Sequence, residues 1–264
     1  MLLRDIANRE RIVAGLMSGT SVDAIDVAVT RIVPNGDNID VNVLGYAEPT
    51  WSAAEHDAIL RVSTEPVSAQ EIALVDRMVG DRFCSALLAL SASLGTRLDA
   101  IGFHGQTVAH VPTPPSGYSS STLQLGNPYA CAQAFGCPVV FDFRRADMLT
   151  GGQGAPLVPA ADSLMFHHRL NDGAIAIQNI GGIGNVTYLA SGSPPIGFDT
   201  GPGNMVLDQV MFARTVLRFD DGGRLAASGN VLPDLLDALQ KWHIPACPPV
   251  SYGREQFGMP FVET

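Results

Sequence analysis

The chain is 264 residues long, 46% hydrophobic, and carries 16 basic against 26 acidic side chains for a formal net charge of -10. That length can bury one large core or two modest ones, and the acidic balance, with no basic run longer than Arg144-Arg145, excludes nucleic acid as a favoured partner. The charged opening MLLRDIANRERI holds no apolar signal core and no apolar run reaches bilayer length, so no membrane partner and a cytoplasmic location are expected.

In chain order β and α patterns alternate, which predicts an α/β protein. Residues 12–17 (IVAGLM) read as one strand and residues 24–33 (AIDVAVTRIV) as its hairpin partner, with Ile25, Val27 and Val29 on one face and Asp26, Ala28 and Thr30 on the other. Between them lies a stretch too small and too polar for a buried strand. SAQE at 68–71 has capping-box spacing, Ser68 before Glu71, and opens an amphipathic helix through Ile72, Val75, Val79 and Phe83 that closes near Gly95. Residues 98–103 (LDAIGF) read as a short strand delivering HGQT at 104–107. Residues 112–122 read as a loop with no core-forming side chain beyond Tyr118, and residues 138–142 (PVVFD) as a buried strand ending in Arg144-Arg145. AIAIQNIGGIGNVTYL at 174–189 then repeats the opening theme of strand, glycine-rich turn and returning strand.

Two similar hairpins predict two related domains, each presenting a backbone-donor loop. Glycines admit positive φ and bring consecutive N–H groups to a concave face that binds phosphate oxygens without lysine. The chain has a single lysine, Lys241, in helical sequence, which disfavours a Walker-type NTPase and a protein kinase. Residues Ser18, Gly19, Thr20 and Ser21 would serve one part of a polyphosphate, and Gly181, Gly182 and Asn185 the other. Each turn alone reads equally well as a plain hairpin. As a pair they predict a nucleotide cleft between two lobes. The four cysteines, Cys84, Cys131, Cys137 and Cys247, lack CxxC spacing and read as core thiols.

GLMSGTSVDAID, GFHGQTVAH, TLQLGNP, DFRRADMLTGGQGAPLVP, NIGGIGNV, GFDTGPGN and SYGREQF, in that order, resemble the motif series of the anhydro-N-acetylmuramic acid kinase family, over residues 12 to about 258. The resemblance implies membership of the actin, hexokinase and Hsp70 superfamily, with two RNase H-like lobes, here 1–146 and 147–264, and ATP between them. The first hairpin would be the phosphate-1 loop, over Ser18 to Asp26 including Val22, Asp23, Ala24 and Ile25, and the second the phosphate-2 loop. The implied reaction is phosphorylation of 1,6-anhydro-N-acetylmuramic acid coupled to opening of its anhydro bridge, a step of amino sugar metabolism and peptidoglycan recycling. The implied partners are the small-molecule sugar and, at most, a second copy of the chain in a homodimer.

Such chemistry needs a carboxylate base for the attacking water, and Asp199 in GFDTGPGN resembles the family's base, expected at a strand end before a helix starting at Asn204. On its own that aspartate reads equally as a turn or helix-cap residue. Sugar recognition needs planar donors and amides. His104, Gln106, Arg144, Arg145 and Asn204 are the candidates, with Arg144 first as a guanidinium fork for hydroxyls or the lactyl carboxylate and His104 also readable as structural. Mg²⁺ keeps several waters, so one carboxylate, Asp23, suffices for it; Asp23 reads also as an Asx-turn residue. His56, His110, His167, His168 and His243 have no metal-ligand spacing.

Three departures stand out against the family pattern. Ala24 replaces a glycine, which predicts about 1 kcal/mol of strain if that position needs positive φ. Val250 and Tyr252 replace the usual lysine and threonine. The sequence ends at FVET without the family's adenosine motif, so an incomplete second lobe is expected. A kinase for another anhydrosugar such as levoglucosan, and a binding remnant without ATP affinity, are the alternative readings.

Overall fold

The computed structural model describes residues 9–19, 21–215 and 217–241, together with Tyr252, Phe257 and Val262. The chain divides into two units, Met1–Ala155 and Pro156–Thr264. In the first, β1 (Arg11–Ser18) pairs antiparallel with β2 (Asp26–Asn35), which pairs antiparallel with β3 (Asn38–Ala47). Alternation sets which face goes inward: Val27 and Val29 are buried, while Asp26, Ala28 and Thr30 are only partly so. The β2–β3 turn places Gly36 at φ 61°, a conformation that an Asn-Gly pair adopts readily.

Two helices follow, α1 (Ala53–Thr64) and α2 (Ala69–Leu94), before β4 (Ala100–Val111) returns parallel to β1. β5 (Ser121–Leu125) pairs antiparallel with the second half of β4, and after α3 (Tyr129–Phe135), β6 (Val139–Phe141) pairs parallel with its first half. α4 (Phe143–Leu149) leaves the end of β6. The path β3-β2-β1-β4-β6, with β2 alone running opposite to the others, is an RNase H-like sheet.

Local signals hold the helices in place. At Ser68 the hydroxyl accepts the Glu71 N–H at 3.2 Å, and Gly95 closes α2 in the left-handed conformation. The Glu71 carboxylate pairs with Arg61 of α1. The reciprocal capping box lies one helix earlier, at Ser52 and Glu55. α2 packs Val75, Val79 and Phe83 onto the sheet, with the Phe83 ring 6.0 Å from Trp51 and 5.1 Å from Phe103. Cys84 and Cys131 meet in this core, where burial pushes both thiols above their ordinary range; Cys137 is half-buried, and Cys247 lies outside the described residues.

Several expectations need correcting. HGQT does not follow a short strand; it lies within β4, which runs on because β5 gives its second half a partner. β6 is not a buried strand, since Val140 and Phe141 are each more than two-fifths exposed. Tyr118 points to solvent rather than forming core. β3 and α1 carry no expectation from the sequence reading.

The second unit opens with α5 (Val158–Phe166) and a 3₁₀ helix (His167–Asp172), then forms the antiparallel meander β7 (Ala174–Ile180), β8 (Ile183–Ala190) and β9 (Ile196–Pro202). α6 (Asn204–Thr215), α7 (Arg224–Ser228) and α8 (Pro233–Lys241) follow, the last ending on the single lysine. The meander repeats the β1-β2-β3 arrangement of the first unit. Gly197 lets α5 approach β9, because a Cβ there would lie 2.2 Å from Pro159. Among the described residues no helix is long and apolar enough to cross a membrane.

Gly80, inside α2, faces the turn after β5, where an added Cβ would sit 2.5 Å from the Asn127 carbonyl oxygen. Backbone cannot yield as a side chain can. Gly80→Ala is therefore expected to destabilise the first unit by roughly 1–3 kcal/mol despite alanine's better helix propensity, read as a lower denaturation midpoint.

Candidate active site

The β1–β2 loop is held from inside. The Ser18 hydroxyl donates to the Ala24 carbonyl at 2.8 Å and accepts from the Trp51 indole N–H at 3.3 Å, and the residue is 1% exposed. The Gly19 carbonyl accepts from the Val22 N–H at 3.2 Å and from the Gln106 side-chain amide at 3.1 Å. Val22 and Ile25 put their side chains into the core. The Ser18 hydroxyl, the Val22 and Ile25 side chains and the Gln106 amide nitrogen thus point inward and shape the loop, which leaves its backbone as the part open to a ligand. Ser21 and Asp23 are exposed, and Thr20 lies outside the described residues. Asp26 accepts the Tyr46 hydroxyl, and that hydrogen bond, with burial and the carboxylate charge, pushes the phenol up to about 12.

The strain expected at Ala24 falls elsewhere. Ala24 stays out of the left-handed region and bridges to Thr50, whereas Val22 adopts φ 59°. A β-branched residue pays at least the ~1–2 kcal/mol usual for this conformation. Burial of its side chain to 2% exposure contributes a comparable ~1.5–3 kcal/mol in return.

A second cluster grows from an irregularity in β4. Leu16 pairs with Phe103 but Met17 pairs with Gly105, so His104 is an extra residue bulged out of the ladder. Gly105 is required beside it, at φ 75° with the Leu125 carbonyl oxygen 2.5 Å from where a Cβ would stand. The His104 Nδ1–H donates to the Gly105 carbonyl at 2.9 Å, and Nε2 accepts from the Arg144 Nε–H at 2.9 Å. A carbonyl on one side and a guanidinium on the other fix the tautomer. Burial lowers the His104 pKa, the Gly105 bond opposes that, and the Arg144 charge lowers it further. Arg144 also donates to the Gly154 carbonyl at 2.6 Å, and among the described residues no salt bridge neutralises it. Asp147 folds the GGQG segment around itself by accepting the Gly154 N–H at 2.7 Å. Arg145 donates to the Thr122 carbonyl at 3.3 Å and, with His104, lines a cavity of about 420 Å³ in the first unit.

In the second unit the glycine turn after β7 caps α6. The Gly181 carbonyl accepts the Asn204 N–H at 2.8 Å, and the Gly182 carbonyl accepts the N–H groups of Gly203 at 2.9 Å and Met205 at 3.1 Å. Gly203 has to be glycine, since a Cβ would lie 2.2 Å from the Gly181 oxygen. A trans peptide directs its N–H opposite to its carbonyl, so the Gly182 N–H faces away from α6. Asn204 is exposed, and its side-chain amide reaches the Ile180 carbonyl at 3.5 Å.

Asp199 is not at the end of a strand. β9 runs past it to Pro202, and Asp199 pairs with Asn185, which pairs in turn with Asn179, so the three share one face in a row. The register shifts between Gly184 and Asn185, leaving Thr200 as a bulge next to the carboxylate. The Asp199 carboxylate accepts the Tyr252 N–H at 2.7 Å. The structure thus groups His104, Arg144 and Arg145 in one unit and Gly181, Gly182, Asn185, Asp199 and Asn204 in the other. The Tyr252 and Asp147 contacts are absent from the sequence reading because each depends on chain reversal, and neither residue's type signals it.

An RNase H-like sheet with a glycine hairpin at its start, followed by a unit built on the same three-stranded meander, defines the class as an α/β protein of the RNase H-like kind. The family model described as "Anhydro-N-acetylmuramic acid kinase" matches residues 11–264. Proteins of that name from Caldanaerobacter subterraneus subsp. tengcongensis, Bacillus cereus strain B4264 and a Picosynechococcus species are 38%, 40% and 40% identical over 99%, 95% and 95% of this chain. The chain spans 69%, 66% and 68% of their respective lengths, about two thirds. A solved ROK hexokinase from Thermus thermophilus is similar at a TM-score of 0.34 and 12% identity, over 86% of this chain and 71% of that one. The chain belongs to the anhydro-N-acetylmuramic acid kinase family.

Two outcomes follow for the first unit. Because folded His104 binds a proton less readily than the ordinary imidazole near 6.5, its contribution is complete above that value and is lost as pH falls below it. Melting temperature should drop between about pH 7 and pH 5, and His104→Gln should flatten that drop, leaving the part due to His110, whose pKa is lowered by burial and by Arg144. Ala24→Gly should bring no relief, instead lowering stability by roughly 0.5–1 kcal/mol in a denaturation titration, since the position does not need positive φ.

Proposed function

We propose that the chain carries ATP-dependent phosphorylation of 1,6-anhydro-N-acetylmuramic acid, with hydrolytic opening of the anhydro bridge to N-acetylmuramate 6-phosphate, a reaction of peptidoglycan recycling in the cytoplasm. Beyond family membership, the observation that carries this reading is Asp199: a carboxylate at a strand bulge, beside Asn185 and held by a backbone N–H. Asp199 takes a proton from the water that adds to C1. The C1–O6 bond breaks, and O6 attacks the terminal phosphorus of ATP as ADP leaves.

The remaining groups sort by charge. The Gly182 N–H, with Asn185 nearby on β8, and the exposed Ser21 of the first loop are donors suited to phosphate oxygens. Arg144, partly buried and without a carboxylate partner among the described residues, suits the lactyl carboxylate. Mg²⁺ supplies charge neutralisation to the phosphates when bound. Among the described residues no cluster of three acidic, histidine or cysteine side chains exists to hold a metal. Asp23 is exposed on the loop, which fits a Mg²⁺ held mainly by water and phosphate. A homodimer is the proposed assembly.

Asp199→Asn should lower kcat by about 10²–10⁴-fold while ATP affinity stays within error of the parent chain. Retained turnover refutes the base. Saturable ATP binding at millimolar nucleotide separates the kinase from a remnant of the fold, and product analysis with levoglucosan beside the muramic substrate separates the two sugars.

A further inference from the structure

Asp147 stands three residues after Arg144 on α4, a spacing that brings oppositely charged side chains together on a helix. The pair does not form: among the described residues Asp147 makes no salt bridge. Both side chains reach for Gly154 instead. The Asp147 carboxylate accepts the Gly154 N–H at 2.7 Å, and the Arg144 Nη1 group donates to the Gly154 carbonyl at 2.6 Å. One glycine is thus gripped at both of its polar groups by one helix. It lies at φ 74° in a buried socket, where a Cβ would meet Met148 at 3.0 Å and the His110 ring at 3.2 Å.

A guanidinium on a long flexible side chain is fixed only if its donors meet acceptors that are themselves fixed. Arg144 has two, the His104 ring for its Nε–H and the Gly154 carbonyl for its Nη1–H. The first is held by its bond to the Gly105 carbonyl. The second depends on Asp147, because the other hydrogen bonds from this segment to α4 come from residues 150–152 and stop short of Gly154. Gly152 rests on the same carboxylate, since a Cβ there would fall on it. Both acceptors of Arg144 are neutral, so its charge is aimed without being cancelled.

Resting on the reading above, in which Arg144 belongs to the site, we propose that Asp147 is a positioning residue: acting through Gly154, it sets the place of the Arg144 guanidinium and, through that guanidinium, keeps the His104 ring a hydrogen-bond acceptor. The test is titration of His104 in the full chain by imidazole nitrogen-15 NMR, its signal assigned by its loss in His104→Gln, with amide hydrogen exchange of residues 150–155 followed alongside. Asp147→Asn removes the carboxylate charge. Gly152→Ala keeps the charge but displaces the carboxylate, and position 152 is outside the left-handed region, so alanine fits its backbone. Burial and the Arg144 charge hold His104 below the ordinary 6.5, so freeing Arg144 should raise its pKa toward that value in both variants. Exchange at 150–155 should quicken roughly 10–100-fold, while exchange elsewhere in the first unit stays parent-like. A carboxylate acting only as a charge predicts the opposite sign in Asp147→Asn, since removing an anion lowers an imidazole pKa, and no shift in Gly152→Ala. A rise in fewer than both variants overturns the assignment. Exchange that quickens across the whole first unit makes Asp147 a folding residue and equally overturns it. Neither sugar nor nucleotide enters the measurement, so its failure leaves the kinase reading standing, and failure of that reading shows instead in the turnover and ATP titrations.

Discussion

A peptide unit cannot direct its carbonyl and its N–H the same way, and the glycine turn of the second unit depends on that constraint. The first N–H groups of α6 need acceptors, and the carbonyls of Gly181 and Gly182 supply them. Once those carbonyls are committed to the helix, the Gly182 N–H has only the opposite side to face. Capping the helix and offering a donor are therefore one geometric event. The glycine at 203 is as necessary to it as the pair in the turn, since any side chain there would collide with the Gly181 oxygen.

The first unit reaches a comparable result by different contacts. There the Gly19 carbonyl is drawn inward by Val22 and Gln106, and the Ser18 hydroxyl is spent on Ala24. Loop shape is thus set by groups turned inward, while Ser21 and Asp23 are left outward. In both units a candidate site residue also sits at a break in strand register: His104 is bulged between β1 and β4, and Asp199 adjoins the Thr200 bulge between β8 and β9. A regular ladder would alternate these side chains strictly between faces. A bulge adds one residue and re-aims its neighbour.

Periodicity and punctuation made much of the fold legible. Ser68 and Gly95 bound α2 as their chemistry requires, and the two glycine hairpins form where alternating strands flank small residues. What stayed hidden depends on partners distant in sequence. HGQT continues β4 because β5 pairs with it, and no feature of residues 104–107 announces that. β6 reads as buried from PVVFD alone but lies with two side chains open, because burial belongs to the sheet's surroundings and not to the strand's composition. Of the site, the residue types were legible and their local contacts were not: the Gln106 amide nitrogen donates to the Gly19 and Thr107 carbonyls, and nothing in the HGQT stretch announces the first of these.

The departures from the family pattern separate positions read by side chain from positions read by backbone. Ala24 replaces glycine at a site whose backbone stays in ordinary territory, so the missing hydrogen costs nothing in conformation, and the left-handed residue is Val22, two positions earlier. Tyr252 replaces threonine, but what it gives Asp199 is its N–H, which both residues possess. Its ring packs edge-on against Phe257 at 5.1 Å, a contact threonine could not make. A substitution that alters a side chain while leaving a backbone donor in place conserves the hydrogen bond by default. The hydrogen bond to Asp199 at position 252 therefore depends on the backbone and not on which side chain stands there.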